Sequence, residues 1–364
     1  MPTVRSIART LGLSAATVSG ALNGRGRIAR TTQERVLSAA RLAGYKPNPL
    51  AATLMAALRR SRGATFRGVV AAVDFVEPTR PPHGAFHREL LAGAGTRAAE
   101  LGFKLTEFFV GRSELTVPRL DAALHARGIN GVLLLPAWHA PDWSELDWSR
   151  YAGVYTDYNV GAPGLHSVCC DHYRSMMLAL ARLAARGYRR PGIFLEQGRN
   201  VRIHHRWSAA FHAFQESQRS APPVPPLFTP ELRREGFLHW FRRHEPDVVI
   251  SHSTDTIEWM ESAGARVPAT HGFVCLNLLY KGRPCAGLDQ QPRELGARSV
   301  EMLIAQLQRN ERGIPEWPTT TTIPARWVDG PTVRAEQVVE PPLRGGAACP
   351  QAASSPRRTS VAPR

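Results

Sequence analysis

Two sets of residues in this 364-residue chain have types and spacing suited to chemistry. The first is the run Ser14-Ala15-Ala16-Thr17-Val18-Ser19, which sets short hydroxyls beside two methyl groups. Placed end-on against a nucleic-acid groove, Thr17, Ser19 and Asn23 offer short donors to phosphates. Ala15 and Ala16 can touch thymine methyls, while Val18 and Leu22 turn to the opposite face and a core. The bland alternative is the polar face of any three-helix bundle. The second set follows the predicted strands of a later α/β region: Asp74 with Phe75, Trp138 with His139, Tyr155 with Asp157, Glu196 with Gln197, Ser253 with Asp255, Asn277, and Asp289 with Gln290. Open parallel sheets bind ligands beyond the carboxyl ends of their strands. Aromatic platforms beside carboxylates and amides suit a polyhydroxylated molecule, so a carbohydrate is the expected ligand.

Catalysis is weighed and set aside. His204-His205 and Cys169-Cys170 contain metal-ligating and thiol groups, but adjacent residues on an extended strand point to opposite faces and cannot line one site. Neither Gly-x-Ser-x-Gly nor His-Glu-x-x-His nor a phosphate-cradling Gly-rich loop occurs. No catalytic residue, cofactor or metal is expected.

The elements that must position these residues are readable from caps and periodicity. Thr3 caps a helix from about Val4 to Leu11, Gly12 supplies the turn, and Ser14 caps a second helix through Leu22, which Asn23-Gly24 ends. Thr31-x-x-Glu34 reads as a capping box opening a third helix. Its Val36, Leu37, Ala40 and Leu42 are apolar at helical spacing, and Gly44 stops it. The alanine-rich stretch Leu50 to Leu58 is too short to be a stable helix alone, and Arg59-Arg60-Ser61-Arg62-Gly63 is a basic linker.

From Phe66 onward apolar runs alternate with helical patterns. Strands are predicted at Gly68–Val73, Lys104–Phe109, Gly131–Leu135, Gly153–Tyr155, Gly192–Leu195, Asp247–Ile250, Gly272–Leu276 and Ala286–Leu288. Helices fall at Phe86–Leu101, Asp171–Ala185, Trp207–Ser217 and Pro292–Gln308. This is an α/β pattern with parallel sheets. It holds more strands than one ordinary open sheet, so two side-by-side subdomains are expected, with the Gly/Pro-rich Asn159–Gly164 region midway. The Pro/Ala/Ser/Arg-rich end, from about Pro341, is expected to be a disordered tail.

Charge is distributed unevenly. Residues 1–66 hold eleven Arg or Lys against the single acid Glu34, so this short piece carries +10 of the total +16. A small, strongly basic unit on a nearly balanced body is the footprint of a phosphate-binding module. Only Lys46, Lys104 and Lys281 are lysines, an arginine bias that genome composition can also produce. The five cysteines are too few and too irregularly spaced for a disulfide framework and are read as reduced thiols. No apolar run reaches the length of a membrane span, and the first residues lack a secretory pattern, so a cytoplasmic protein is expected.

With these residues in hand, a resemblance becomes specific. Val4-Arg5-Ser6-Ile7-Ala8-Arg9, Leu13 to Gly24, Arg35-Val36, Ala39-Ala40 and Gly44-Tyr45-Lys46-Pro47-Asn48-Pro49-Leu50-Ala51 resemble the headpiece of the lactose-repressor (LacI/GalR) family, almost without gaps. Weaker similarity continues through Val168-Cys169-Cys170-Asp171, Leu183 to Arg190, Pro246 to Ile250 and Ala263 to Pro268. These look like the family's periplasmic-binding-protein-like body.

The resemblance implies residues 1–46 as a three-helix helix-turn-helix headpiece, 47–66 as hinge helix and linker, 67–339 as a two-lobed effector-binding and dimerisation domain, and 340–364 as the tail. It implies a homodimer on a pseudo-palindromic operator, controlled by a small-molecule effector. Leu54 matches the leucine that paired hinge helices wedge into the minor groove, where unstacking a base step is offset by the contacts of bent DNA. Asn48 and Ala51 match the hinge helix start and packing face. Thr3, Arg5, Ser14, Tyr45 and Met55 complete the expected DNA-contacting set.

In the body, Asp171 matches an acidic position after the middle strand, with a helix cap as the competing reading. Arg206 matches an effector-anchoring arginine. Two headpiece positions depart from the pattern: Gly20 stands where many relatives carry a base-reading side chain, and Ser6 replaces a common aspartate. Two departures also occur in the body, with Ser253-Thr254 standing for Asn-Asp and Asn277 for Asp. A periplasmic-type binding protein without a transcriptional role is the second reading, against which the basic headpiece argues.

Overall fold

The computed structural model describes residues 4–22, 28–43, 66–76, 84–111, 115–139, 142–158, 162–218 and 222–336. Thr3, Asn23, Tyr45, Asn48, Leu54 and Met55, the hinge segment and the tail lie outside them.

Helices α1 (Val4–Leu11), α2 (Ala15–Leu22) and α3 (Arg30–Leu42) pack on one another around Ile7, Ala8, Val18, Ala21, Val36 and Ala40. Gly12 takes the left-handed conformation (φ +66°) that a side chain would strain, which lets the chain reverse between α1 and α2. Ser14 caps α2: its Oγ accepts the Thr17 N–H at 3.0 Å. The expected capping box is absent. The third helix starts earlier, after Ala29, where Gln33 N donates to Ala29 O, and Glu34 turns to the Arg30 guanidinium at 3.2 Å rather than back to Thr31. Leu42 is 88% exposed, since it lies two residues, or about 200° of helix, past the inward-facing Ala40.

The body contains β1 (Gly68–Phe75), α4 (Ala85–Glu100), β2 (Phe103–Val110), α5 (Val117–Ala126), β3 (Gly131–Leu134), β4 (Ala152–Tyr155) and β5 (His166–Cys170). Then come α6 (His172–Ala185), β6 (Pro191–Glu196), α7 (Gln197–Arg202), α8 (Arg206–Ser217), β7 (Leu227–Thr229), α9 (Arg234–His244), β8 (Val248–Ser251) and α10 (Asp255–Ser262). β9 (Gly272–Cys275), β10 (Ala286–Asp289), α11 (Pro292–Arg309), β11 (Thr320–Ile323) and β12 (Arg326–Val328) complete it.

The strands form two six-stranded sheets, β11-β5-β4-β3-β1-β2 and β12-β10-β9-β8-β6-β7. Pairing is parallel except where β12 runs antiparallel to β10. β1, β3, β8 and β9 are sheet-central and almost wholly buried, which explains their continuous apolar runs.

The lobes are not consecutive in sequence. The Gly/Pro-rich stretch marks no boundary, because β4 and β5 on either side of it pair directly, Val154 with His166 and Tyr155 with Ser167. The chain instead crosses at Asp171, returns at Gln290-Gln291 and crosses again at Pro324-Ala325. Thus α6 packs into the second lobe through Met176, Leu180 and Leu183, while α11 packs back on the first through Leu295, Val300 and Leu303. α4 and α11 touch backbone to backbone: a Cβ on Gly93 or Gly296 would stand 2.0 Å from a carbonyl oxygen of the other helix, so both positions require glycine.

The crossings are tied to one another. Asp171 N donates to Ile323 O at 2.8 Å, Ala325 N to Ser175 Oγ at 2.9 Å, and Gln291 Nε2 to Pro324 O at 2.6 Å.

Candidate functional site

The carboxyl ends of both sheets face each other, and side chains from the two lobes meet there. From the first lobe come Trp138 beyond β3 and Asp157 and Tyr158 beyond β4. From the crossing comes His172, and from the second lobe come Glu196, Arg199, Arg202, Arg206, Trp207 and His252.

The C-terminal end of α7 reaches across the cleft. Arg202 Nε donates to the Ala137 carbonyl at 2.9 Å, and its terminal nitrogen pairs with the buried Asp157 carboxylate. The Arg199 and Arg202 guanidinium groups lie 4.8 and 5.6 Å from the Trp138 ring centroid, within cation–π range. Arg206, the first residue of α8, stacks on Tyr158 at 3.9 Å. Rings continue the cluster: His172 lies 5.9 Å from Tyr158 and 5.1 Å edge-on to Trp207, and Trp207 lies 6.4 Å from His252.

Burial and neighbouring charge set the protonation of this cluster. Burial first, then the Arg202 and Arg206 charges, push His172 down to about 3, so its ring is neutral at physiological pH. Burial likewise lowers His252 and raises the Cys169 thiol, the latter to about 12. The His252 ring nitrogen, 3.5 Å away, and the Arg199 guanidinium hold Glu196 at about 2. All four described cysteines are buried and free of disulfides.

Of the candidate effector residues read from sequence, the structure brings Trp138, Asp157, Glu196 and Arg206 into this cluster. Asp171 stands beside it, but its carboxylate is occupied: Oδ1 accepts Arg174 N at 3.0 Å as the cap of α6, and Oδ2 accepts the Thr322 hydroxyl at 3.0 Å across the crossings. Asn277 caps a 3-10 turn through Leu279 N, and Asp289 accepts Gln291 N at 2.9 Å. Ser253 Oγ faces Asp255 N at 3.3 Å, next to His252. Phe75 packs edge-on against Trp143, 6.0 Å away, and Asp74 is buried at the end of β1.

His204 and His205 lie not on a strand but in a left-handed turn between α7 and α8. Tyr158, His172, Arg199, Arg202, Trp207 and His252 were missed. Four of them directly adjoin residues the sequence did single out, Asp157, Asp171, Arg206 and Ser253, and that adjacency was the available signal. A separate surface depression of about 670 Å³, lined by Glu235, Leu238, His239, Arg242 and Arg243, lies along α9 alone and gathers nothing from the first lobe.

At the headpiece, Ser14 and Thr17 hydroxyls stand 2.7 Å apart at the start of α2. Arg5, Ala15, Ala16 and Ser19 lie on α1 and α2, but their side chains fall outside the description. The headpiece meets the body where Asn310, in the left-handed residue ending α11, donates from Nδ2 to the Leu22 carbonyl at 3.1 Å. No helix among the described residues is long and apolar enough to cross a membrane.

Residues 3–48 match the family model described as "Bacterial regulatory proteins, lacI family". The regulator AscG of Escherichia coli is 27% identical over 192 residues, and CelR of Thermobifida fusca 31% identical over 196. Each alignment covers 52% of this chain, and it covers 53% of AscG and 54% of CelR, so the chain spans about half the length of these relatives. The fold of a solved "transcriptional regulator CelR-cellobiose complex" superposes with a TM-score of 0.56 at 20% identity, covering 91% of this chain and all of that one. Residues 3–48 thus match the N-terminal domain of the lacI family of bacterial regulatory proteins, and the body they join has the two-lobed fold of that solved structure.

Proposed function

We propose that the chain is a cytoplasmic, non-enzymatic transcription regulator that binds a two-fold symmetric operator as a homodimer and releases or grips it according to a carbohydrate-type effector in the inter-lobe cleft. The observation that carries this reading is a single one: a three-helix unit with a Ser14-capped second helix is joined to two lobes whose facing ends bury an aromatic and cationic cluster. Two headpieces read two half-sites, which supplies the specificity one cannot.

Lobe closure is the proposed switch, and α11 is its lever. It starts at the crossing residue Gln291, runs about 27 Å as an 18-residue helix, and ends at Asn310 against the headpiece. A coupling of about 1–3 kcal/mol changes operator occupancy roughly 5- to 150-fold. Leu54 is proposed as the minor-groove wedge, with Asn48 and Ala51 starting and packing its helix.

Selection of duplexes from a random pool by the intact protein tests the reading. Enrichment of a palindrome, bound far more weakly by residues 1–60 alone, is expected; no palindrome, or equal affinity and selectivity of the fragment, overturns it. On the selected site, Leu54→Ala is expected to lose specific binding far more than non-specific binding.

A further inference from the structure

The cluster between the lobes has an imbalance of hydrogen-bonding groups. Arg206 Nε and Trp207 Nε1 are buried without a hydrogen-bond partner, as are His172 Nδ1 and His252 Nδ1. Arg206 Nε and Trp207 Nε1 can only donate. Trp207 is 7% exposed and His172 9%, so neither is served by bulk water. The nearby carboxylates are already engaged. Asp157 takes Arg202 and the Tyr158 N–H, Glu196 takes Arg199 and faces His252, Asp171 takes Arg174 N and Thr322, and Asp289 takes Gln291 N.

A neutral sugar, each of whose hydroxyls must also place a proton, finds few free carboxylates here. A group that only accepts finds the open donors of Arg206 and Trp207 and a guanidinium with a ring, not an acid, stacked against it. The low proton affinity of His172, set first by burial and then by Arg202 and Arg206, places those two positive charges close to its ring.

We propose that the cleft ligand carries an anionic group, a carboxylate or a phosphate, seated between Arg206, Trp207 and His172. This rests on the effector-cleft reading and narrows its ligand class from carbohydrates in general to acidic ones. Arg206 supplies charge-assisted hydrogen bonds, Trp207 Nε1 a neutral one, and Tyr158 holds the guanidinium plane in place.

Thermal shifts and calorimetric titrations of the full chain with D-glucose, D-glucuronate, D-glucuronamide and D-glucose 6-phosphate test it. These share one ring and differ at C6, so the carboxylate and phosphate arms separate the two anions. At least tenfold tighter binding of one anion than of glucose and glucuronamide is expected, reduced at least tenfold by Arg206→Gln and less by Arg206→Lys. Trp207→Phe keeps the ring and loses the donor; it is expected to weaken the anion severalfold while leaving the melting temperature without ligand nearly unchanged.

Equal or tighter binding of the neutral compounds, with the same dependence on Arg206, overturns the anionic inference and leaves the effector cleft standing. Ligand binding indifferent to both Arg206 and Trp207 overturns the cleft reading as well. No binding by either anion overturns the inference.

Discussion

The headpiece and the cleft, the two proposed recognition sites, are assembled in opposite ways. The headpiece gathers Ile7, Ala8, Val18, Ala21, Val36 and Ala40 from neighbouring helices into a minimal core. The cleft draws Trp138, Asp157, Tyr158, His172, Arg202, Arg206, Trp207 and His252 from strand ends far apart in sequence and turns them inward. A unit with so small a core has little stability to spare, whereas the body, with four larger core clusters, can lose a cleft contact and remain folded.

The sharpest way to break that comparison is Val18→Asp. Val18 is completely buried, and a carboxylate there, with no partner in a core of small apolar side chains, exceeds what the headpiece can absorb. Loss of operator binding by more than 100-fold, with the body's melting temperature and ligand binding unchanged, is expected in gel-shift and calorimetric assays. Retained operator binding would place DNA recognition elsewhere.

Arg202→Ala probes the cleft at the next scale. It leaves Asp157, 9% exposed at its side chain, without its cation, a loss of about 2–3 kcal/mol in denaturant unfolding. A cycle with Asp157→Asn should show coupling of at least about 1 kcal/mol. Additive effects would mean the lobes are not joined by this pair.

His172 makes the same contrast visible in pH. Its folded value, about 3, lies below the ordinary 6.5, so between the two the unfolded chain binds a proton that the folded cleft refuses. Stability is present above pH 6.5 and falls as pH drops toward 3, with a slope approaching one proton, about 1.4 kcal/mol per pH unit. His252 shares this direction, and Glu196 adds to the loss between 4.5 and about 2. His172→Asn is expected to flatten the body's slope from 6.5 to 4.5 and leave the headpiece's pH profile as it was. An unchanged body slope would refute a buried neutral imidazole.

The smallest effect belongs to Ser14→Ala, which removes the α2 cap and costs the headpiece about 1 kcal/mol, with Ser14→Gly milder. Circular dichroism of the headpiece melting transition measures it.

Legibility follows the same division. Gly12, the Ser14 cap and the Val18, Val36 and Ala40 core face are local features and were readable from spacing. The capping box failed because Glu34 had a better partner at hand in Arg30, a competition spacing cannot rank. The long helices and sheet-central strands of the body were visible as apolar runs. The strands β7, β11 and β12 were not, because none of their residues is fully buried and no apolar run marks them, and β5 opens on His166-Ser167 and ends on two cysteines rather than on an aliphatic run. In the cleft, strand ends pointed to Trp138, Asp157 and Glu196, and the family resemblance pointed to Arg206. Asp171, Asn277 and Asp289 proved to be engaged in caps and turns, which strand-end position alone does not distinguish from ligand contacts.

What the sequence by itself determined was the headpiece with its charge and the α/β character of the body, because helix caps, apolar periodicity and charge act over a few residues. Only the tertiary structure decided which lobe owns α6, α11 and β11, and which donors meet in the cleft. Those outcomes depend on three crossings that bring distant segments within hydrogen-bonding range, and no local pattern encodes a contact whose two halves lie from 33 to 150 residues apart.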